Sequence, residues 1–235
     1  MIPISDATLP QSRGLQARKV PARGIVIHTP GRAFTARACQ ITHDAAWPVT
    51  EEAALRWYVT SGFAFYGGYM VGPSGAVYRL ADDRTRTQHA GALDARYTER
   101  GGREWRAWAK PLAGHGWVKH ERDPAQVFDW WDARWPGLKS PTELMGPFPN
   151  DAIGIDIMPM LDGSYSMPQV RALAALVRDL CQLHGLPHDR RHVVGHEDVD
   201  PCSRGTVLRS GRVIGTPWDP SPALDWKALD LGGAP

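Results

Sequence analysis

The chain has 235 residues, of which 43% are hydrophobic and 22% charged, and its formal net charge is +2. This is the composition of an ordinary globular protein, and so small a charge lacks the basic footprint that nucleic-acid binding usually leaves. No apolar stretch is long enough to cross a bilayer, and the N-terminus lacks the apolar core of a secretory signal. We therefore expect no nucleic-acid partner, no integral membrane segment, and synthesis in the cytoplasm without a signal peptide.

The first predicted strand ends on a histidine. Residues 1–23 are polar and punctuated by Pro and Gly, so they are predicted to form an N-terminal arm. The segment Gly24-Ile25-Val26-Ile27-His28 is a short, mostly β-branched apolar run, which is typical of a buried strand. Further on, Thr50 can cap a helix that carries two glutamates in its first turn and runs to about Gly62.

A hairpin and a second buried strand follow. Gly68–Val71 and Ala76–Leu80 are predicted strands, joined by the turn Gly72-Pro73-Ser74-Gly75. Residues 151–158 are again apolar, with Asp156 as an unexpected carboxylate inside the run. A carboxylate is costly to bury unless something compensates it, so Asp156 has either a functional role or an arginine partner.

The C-terminal third contains a long helix and a second strand that ends on a histidine. Ser166 is the predicted N-cap, Pro168 lies in the first turn, and Gly185 follows the last turn. Apolar residues at helical spacing, Cys181 among them, predict that one face of this helix packs on the sheet. Arg191–His196 is the last predicted strand, and the tail SPALDWKALD is predicted to contain a short helix.

Residues 92–149 differ in character, because they hold six of the ten tryptophans. The stretch DPAQVFDWWDARW predicts a helix with Asp123 as cap, and the remainder is expected to be loop or short helix. Clustered tryptophans either stack on sugar faces or form a small satellite core. Trp105, Trp108 and Trp117, in the loop-like part, are the candidates for sugar contacts.

His28 and His196 each close a predicted buried strand, and a carboxylate, Asp219, occurs late in the chain. Two neutral imidazoles and one carboxylate form a three-ligand set that leaves a fourth zinc position open for water. Zinc held in this way lowers the pKa of a bound water to about 7 and polarises a carbonyl group, as amide hydrolysis requires. The pattern therefore favours a zinc hydrolase.

The order of these segments resembles a known family. IVIH, GGYMV with the PSGAVYRL hairpin, HAG, AIGID, a long helix, VVGHEDV and WDPSPALDW are similar to the type-2 N-acetylmuramoyl-L-alanine amidases. That superfamily includes peptidoglycan-recognition proteins and phage lysis amidases. The resemblance covers about residues 20–92 and 150–229. It implies an α/β fold with a mixed central β-sheet flanked by helices, as one zinc amidase domain over residues 1–235 that contains the 92–149 insertion.

The resemblance also implies roles for particular residues. The metal ligands would be His28, His196 and Asp219, holding Zn²⁺. Asp156 would be the catalytic carboxylate, with Tyr69 beside the metal.

By the same resemblance His89 in the HAG motif would contact the substrate, and Thr216 is a further candidate for substrate binding. Relatives often carry a lysine two residues before the third ligand, where this chain has Pro217. In relatives that lysine stabilises the negative charge that develops on the carbonyl oxygen. In this chain the same role would fall to Thr216, to an arginine of the 204–212 loop, or to no residue. The long loop before Asp219 also leaves Cys202 as a rival third ligand, since thiolate binds zinc well.

The implied activity is hydrolysis of the amide between N-acetylmuramic acid and L-alanine in peptidoglycan or muropeptides, by a monomer. Two alternatives stay open at this point. One is a non-catalytic peptidoglycan receptor, and the other is a zinc enzyme that cleaves a different amide. A phage-released or virion-borne wall-lysing enzyme, an endolysin with antimicrobial action, is favoured over an enzyme that recycles muropeptides in the cytoplasm.

Overall fold

The chain folds as an α/β protein with a central sheet and helices on both faces, as predicted. The computed structural model describes residues 3–6, 16–29, 51–52, 55, 67–87, 117–120, 124–138, 141–145, 151–160, 164–199, 206–208, 213–214, 220 and 223–232. None of the helices in these ranges is long and apolar enough to cross a membrane. His89, Cys202, Thr216 and Asp219 lie outside the described ranges.

The described strands and helices follow one another in this order along the chain: β1 (Ile4–Asp6), β2 (Gln16–Ala17), β3 (Ile25–His28), β4 (Tyr69–Val71), β5 (Val77–Arg79), β6 (Thr85–Arg86), β7 (Trp117–His120), α1 (Pro124–Arg134), α2 (Thr142–Met145), β8 (Ile153–Ile157), α3 (Met167–His184), β9 (Val193–Gly195), α4 (His196–Val199), β10 (Thr206–Leu208), β11 (Val213–Ile214) and a 3-10 helix (Trp226–Leu229). Glu51, Glu52 and Leu55 are helical, in agreement with the predicted helix, whose other residues are not described.

The central sheet has six strands in the order β1-β5-β4-β8-β3-β9. Strands β4 and β5 form the predicted antiparallel hairpin, whereas β4, β8, β3 and β9 run parallel to one another. The four parallel strands therefore end at the same edge of the sheet, which is where α/β proteins commonly place a site.

Helix α3 covers one face of this sheet. Ser166 is its N-cap and accepts a hydrogen bond from the Gln169 amide, and Gly185 ends it with φ 63°, a left-handed conformation that suits glycine. Both ends agree with the prediction. The helix packs on Ile25, Ile27 and the isoleucines of β8. Cys181 lies in this core, and burial raises the pKa of its thiol to about 11, so the thiol stays protonated at neutral pH.

Helix α1, the predicted helix of the insertion, covers the opposite face. Trp131 and Trp135 are 0% and 1% exposed, and they pack with Val26 and Val194 of the sheet and with Val199 of α4. These two tryptophans therefore belong to a core of the domain. The side chains of Trp105, Trp108 and Trp117 lie outside the description, so their contact with sugars stays a prediction.

Three local expectations differ from the structure. The arm carries two strands, since β1 pairs with β5 and β2 pairs with β6. Residues 117–120, expected to be loop or short helix, form β7 and pair with β10. His196 begins α4 and does not end β9. Strands of two to four residues are too short to show a recognisable alternation of apolar and polar residues. Whether they form is decided by a partner strand that is distant in the chain.

Candidate active site

The register of the parallel strands places the predicted site residues in one row. His28 pairs with Asp156 across β3 and β8, so their backbones lie about 4.8 Å apart. Ile27 pairs with Gly195, which brings the next residue, His196, to the other side of His28. Ile27 packs toward α3, and because successive side chains alternate, His28 and Asp156 share the opposite face.

The two histidines converge through their ring nitrogens. His28 and His196 are 4% and 3% exposed, and their Nδ1 atoms lie 2.9 Å apart. The ring centroids are 4.6 Å apart with an interplanar angle of 80°. In a tetrahedral zinc site two nitrogen ligands are separated by about 3.3 Å, given bonds of about 2.0–2.1 Å. The observed spacing is slightly shorter, so a small separation of the two rings would let both nitrogens bind a single zinc ion.

The third ligand is not settled by this geometry. Asp219 and the rival Cys202 both lie outside the described residues. Within the described residues, no cluster of three or more His, Cys, Asp or Glu side chains is placed to hold a metal. The complete set of three ligands therefore stays a prediction.

Asp156 is buried beside the histidine pair and is held by a backbone amide. Its side chain accepts a hydrogen bond from the Gly67 N–H at 2.8 Å through Oδ2. This approach requires glycine, since a Cβ at residue 67 would lie 2.7 Å from the Gly154 carbonyl oxygen. In the sequence, Gly67 stands out only as the first residue of the Gly-Gly pair before β4.

The structure does not bring Tyr69 to this row. In β4 it is Met70 that pairs with Asp156, and its neighbour Tyr69 therefore points to the α3 face. The Tyr69 hydroxyl donates a hydrogen bond to Asp83, whose other oxygen lies 3.2 Å from His184 Nε2. Burial, and then the Asp83 carboxylate, raise the pKa of Tyr69. The hydroxyl is thus held as a neutral donor on the far face of the sheet.

Replacing Tyr69 by Phe is therefore expected to leave kcat/KM for peptidoglycan within about twofold of the wild type. The free energy of unfolding should fall by about 1.5–3 kcal/mol, because a buried hydrogen bond to a carboxylate is lost. Denaturant unfolding and a turbidity assay on cell walls measure the two quantities. A large loss of hydrolysis at unchanged stability would instead restore Tyr69 to the reaction.

Among curated proteins none matches the chain, whereas solved structures do. Its fold is similar to a mutant endolysin from Bacillus subtilis (14% identity, TM-score 0.46, covering 85% of this chain and 87% of that one). It is also similar to a selenomethionine derivative of AmpD (14% identity, TM-score 0.45, covering 97% of this chain and 92% of that one). A third similar structure is the N-acetylmuramoyl-L-alanine amidase LysC from Clostridium intestinale URNW (14% identity, TM-score 0.40, covering 85% of each chain).

The family profile described as N-acetylmuramoyl-L-alanine amidase matches residues 18–220. This stretch is most of the chain, and it contains His28, Asp156, His196 and Asp219. The chain is therefore an enzyme of the N-acetylmuramoyl-L-alanine amidase family, whose substrate is peptidoglycan.

Proposed function

We propose that this amidase uses one zinc ion, held by His28, His196 and Asp219, to hydrolyse the bond between N-acetylmuramic acid and L-alanine. The observation that supports this most is the convergence of two buried imidazoles, with Nδ1 atoms 2.9 Å apart, beside Asp156. Neutral imidazoles and a carboxylate are the ligands of catalytic zinc sites that keep one position open.

When bound, zinc makes a water molecule more acidic and polarises the carbonyl of the scissile amide. The task left to the protein is proton transfer, which we assign to Asp156. Its carboxylate accepts the proton of the attacking water, and it then donates that proton to the nitrogen of L-alanine as the carbon–nitrogen bond breaks. The products are the free lactyl carboxylate and the free amine of the stem peptide.

The Gly67 amide orients the carboxylate for this transfer. Its hydrogen bond to Oδ2 fixes the rotation of the Asp156 side chain. Because β8 lies next to β3 and His28 is paired with Asp156, the carboxylate extends from the position beside His28.

Substrate binding is proposed for His89 and Thr216. Since Pro217 replaces the lysine of relatives, Thr216 or an arginine of residues 204–212 would stabilise the negative charge that develops on the carbonyl oxygen. A non-catalytic receptor is a weaker candidate, because a pure binder has no need of a converging histidine pair.

The biological setting that we propose is lysis of the bacterial wall by a phage enzyme, in preference to recycling of muropeptides. We base this choice on the large insertion between the HAG motif and β8, which we propose adds surface for a polymeric substrate.

Digestion of purified peptidoglycan, followed by mass analysis of the products, tests the proposal. We expect stem peptides with a free L-alanine amine, and we expect a zinc chelator to abolish their release. Cuts within the glycan or within the peptide would overturn the assigned bond. Full activity after verified removal of metal would overturn the zinc site alone. Intact sacculi should be digested at least as well as isolated muropeptides, whereas the reverse preference would indicate recycling.

A further inference from the structure

The turn that carries His196 is anchored by a buried carboxylate two residues further on. Asp198 is 0% exposed, and its Oδ2 accepts a hydrogen bond of 2.7 Å from the Gly195 amide. The same oxygen accepts a hydrogen bond of 3.1 Å from Arg190 Nη2. Asp198 therefore fixes the backbone on the N-terminal side of His196, at the junction of β9 and α4.

The insertion supplies the other contacts of Asp198. Trp135 Nε1, just after α1, donates to Oδ1 at 3.1 Å, and Trp131 Nε1 donates to the main-chain oxygen of Asp198 at 2.9 Å. Arg134 forms an ion pair with Oδ1, with an N···O distance of 2.9 Å. Trp131, Arg134 and Trp135 of the insertion thus hold both the side chain and the backbone of Asp198.

The C-terminal 3-10 helix closes the cluster. The Trp226 ring lies over Arg190, with 3.7 Å from Cζ to the ring centroid, and also near Arg134, at 5.3 Å. Burial lowers the pKa of the Arg190 guanidinium, an effect that the Asp198 carboxylate opposes. Asp198 is thus shared by two guanidinium groups, of which that of Arg190 is buried, and an unpaired buried charge is costly, so Asp198 has little freedom to move.

A second link joins the insertion to the same part of the chain. Strand β7 of the insertion pairs antiparallel with β10, with Thr206 opposite His120 and Val207 opposite Lys119. Strand β10 lies between His196 and the predicted ligand Asp219. The insertion therefore contacts the segment that carries two of the three predicted metal ligands at two separate places.

We propose that the tryptophan-rich insertion is a positioning element for the metal site, acting through Asp198 on His196. This inference rests on the proposed zinc site. It gives Trp131 and Trp135 a role beyond filling a core, since their N–H groups set the position of the turn from which a ligand projects. Partners that orient metal ligands from outside the coordination sphere typically change metal affinity by about 10- to 100-fold when they are removed.

The test uses the full chain with Trp135→Phe and Trp131→Phe. Each keeps a large ring in the core and removes one N–H donor, whereas Asp198→Ala would deprive the buried Arg190 guanidinium of the carboxylate it donates to and is expected to unfold the protein. The zinc dissociation constant is measured by competition with a chelator, at a temperature where every metal-free variant is folded. We expect it to rise about tenfold for Trp135→Phe. Denaturant unfolding of the metal-free proteins is measured in parallel.

Gln169→Met is the matched control. Gln169 is 0% exposed and donates to the carbonyls of Val71 and Met158 at 2.9 and 2.7 Å, so this variant also loses a buried donor, but one that lies on α3 and not in the cluster around Asp198. It should lower stability and leave the zinc dissociation constant unchanged.

The outcomes separate the inference from the proposed function. If the tryptophan variants lose stability but bind zinc as tightly as the wild type, the positioning role is overturned and the zinc site stands. If wild-type protein binds no zinc, both the zinc site and this inference are overturned. Weaker zinc binding in the tryptophan variants, with the control unaffected, supports the inference.

Discussion

Replacing Asp156 by Asn is expected to lower kcat for peptidoglycan hydrolysis by about 10²- to 10⁴-fold, the usual contribution of a general acid–base. An amide cannot take a proton from the attacking water, whereas its size matches that of the carboxylate. Its side-chain oxygen can still accept the hydrogen bond from the Gly67 amide. Zinc content and thermal unfolding should therefore stay close to those of the wild type.

Asp83→Asn is the matched control for this prediction. Asp83 is a largely buried carboxylate that accepts the Tyr69 hydroxyl and contacts His184, on the face of the sheet away from the histidine pair. Its loss should lower stability without a specific loss of kcat. If Asp156→Asn retains near-normal kcat, the proton-transfer role passes to Glu197, which is 4% exposed and follows His196 directly.

His28→Ala and His196→Ala are each expected to reduce the zinc content from about one ion per chain to near zero and to abolish hydrolysis. A site that loses one of three protein ligands no longer completes its coordination at micromolar metal. Zinc binding to the native state stabilises the wild type, by about 2.7 kcal/mol at a free zinc concentration 100 times the dissociation constant. The increase in melting temperature on adding zinc should therefore vanish in both variants. Elemental analysis and thermal unfolding measure the two effects.

The same measurements identify the third ligand. Asp219→Ala should behave like the histidine variants, and Cys202→Ser should bind zinc as the wild type does. The opposite pattern would assign the metal to Cys202 and leave the class of enzyme unchanged. His192→Ala serves as the control histidine, since its ring contacts Asp189 and lies outside the row of site residues.

Local sequence was enough to predict the elements that carry the site. The β-branched run before His28, the apolar run around Asp156 and the cap signals of Ser166 and Gly185 each depend on neighbours within one element, and the structure confirms them. The helix of the insertion was predicted for the same reason. Family membership also followed from the order of short motifs, which does not require a knowledge of their contacts.

Only the tertiary structure decided which side chains meet. Both faces of a buried parallel strand are apolar, so the sequence of β4 could not show that Tyr69 points to α3 while Met70 faces Asp156. A shift of one residue in register would have reversed this assignment. The contacts of Asp198 with Trp131 and Trp135 join residues more than sixty positions apart, and no local pattern encodes such a separation. The sequence by itself thus determined the chemistry that is available, and the pairing of distant strands and helices decided how that chemistry is assembled.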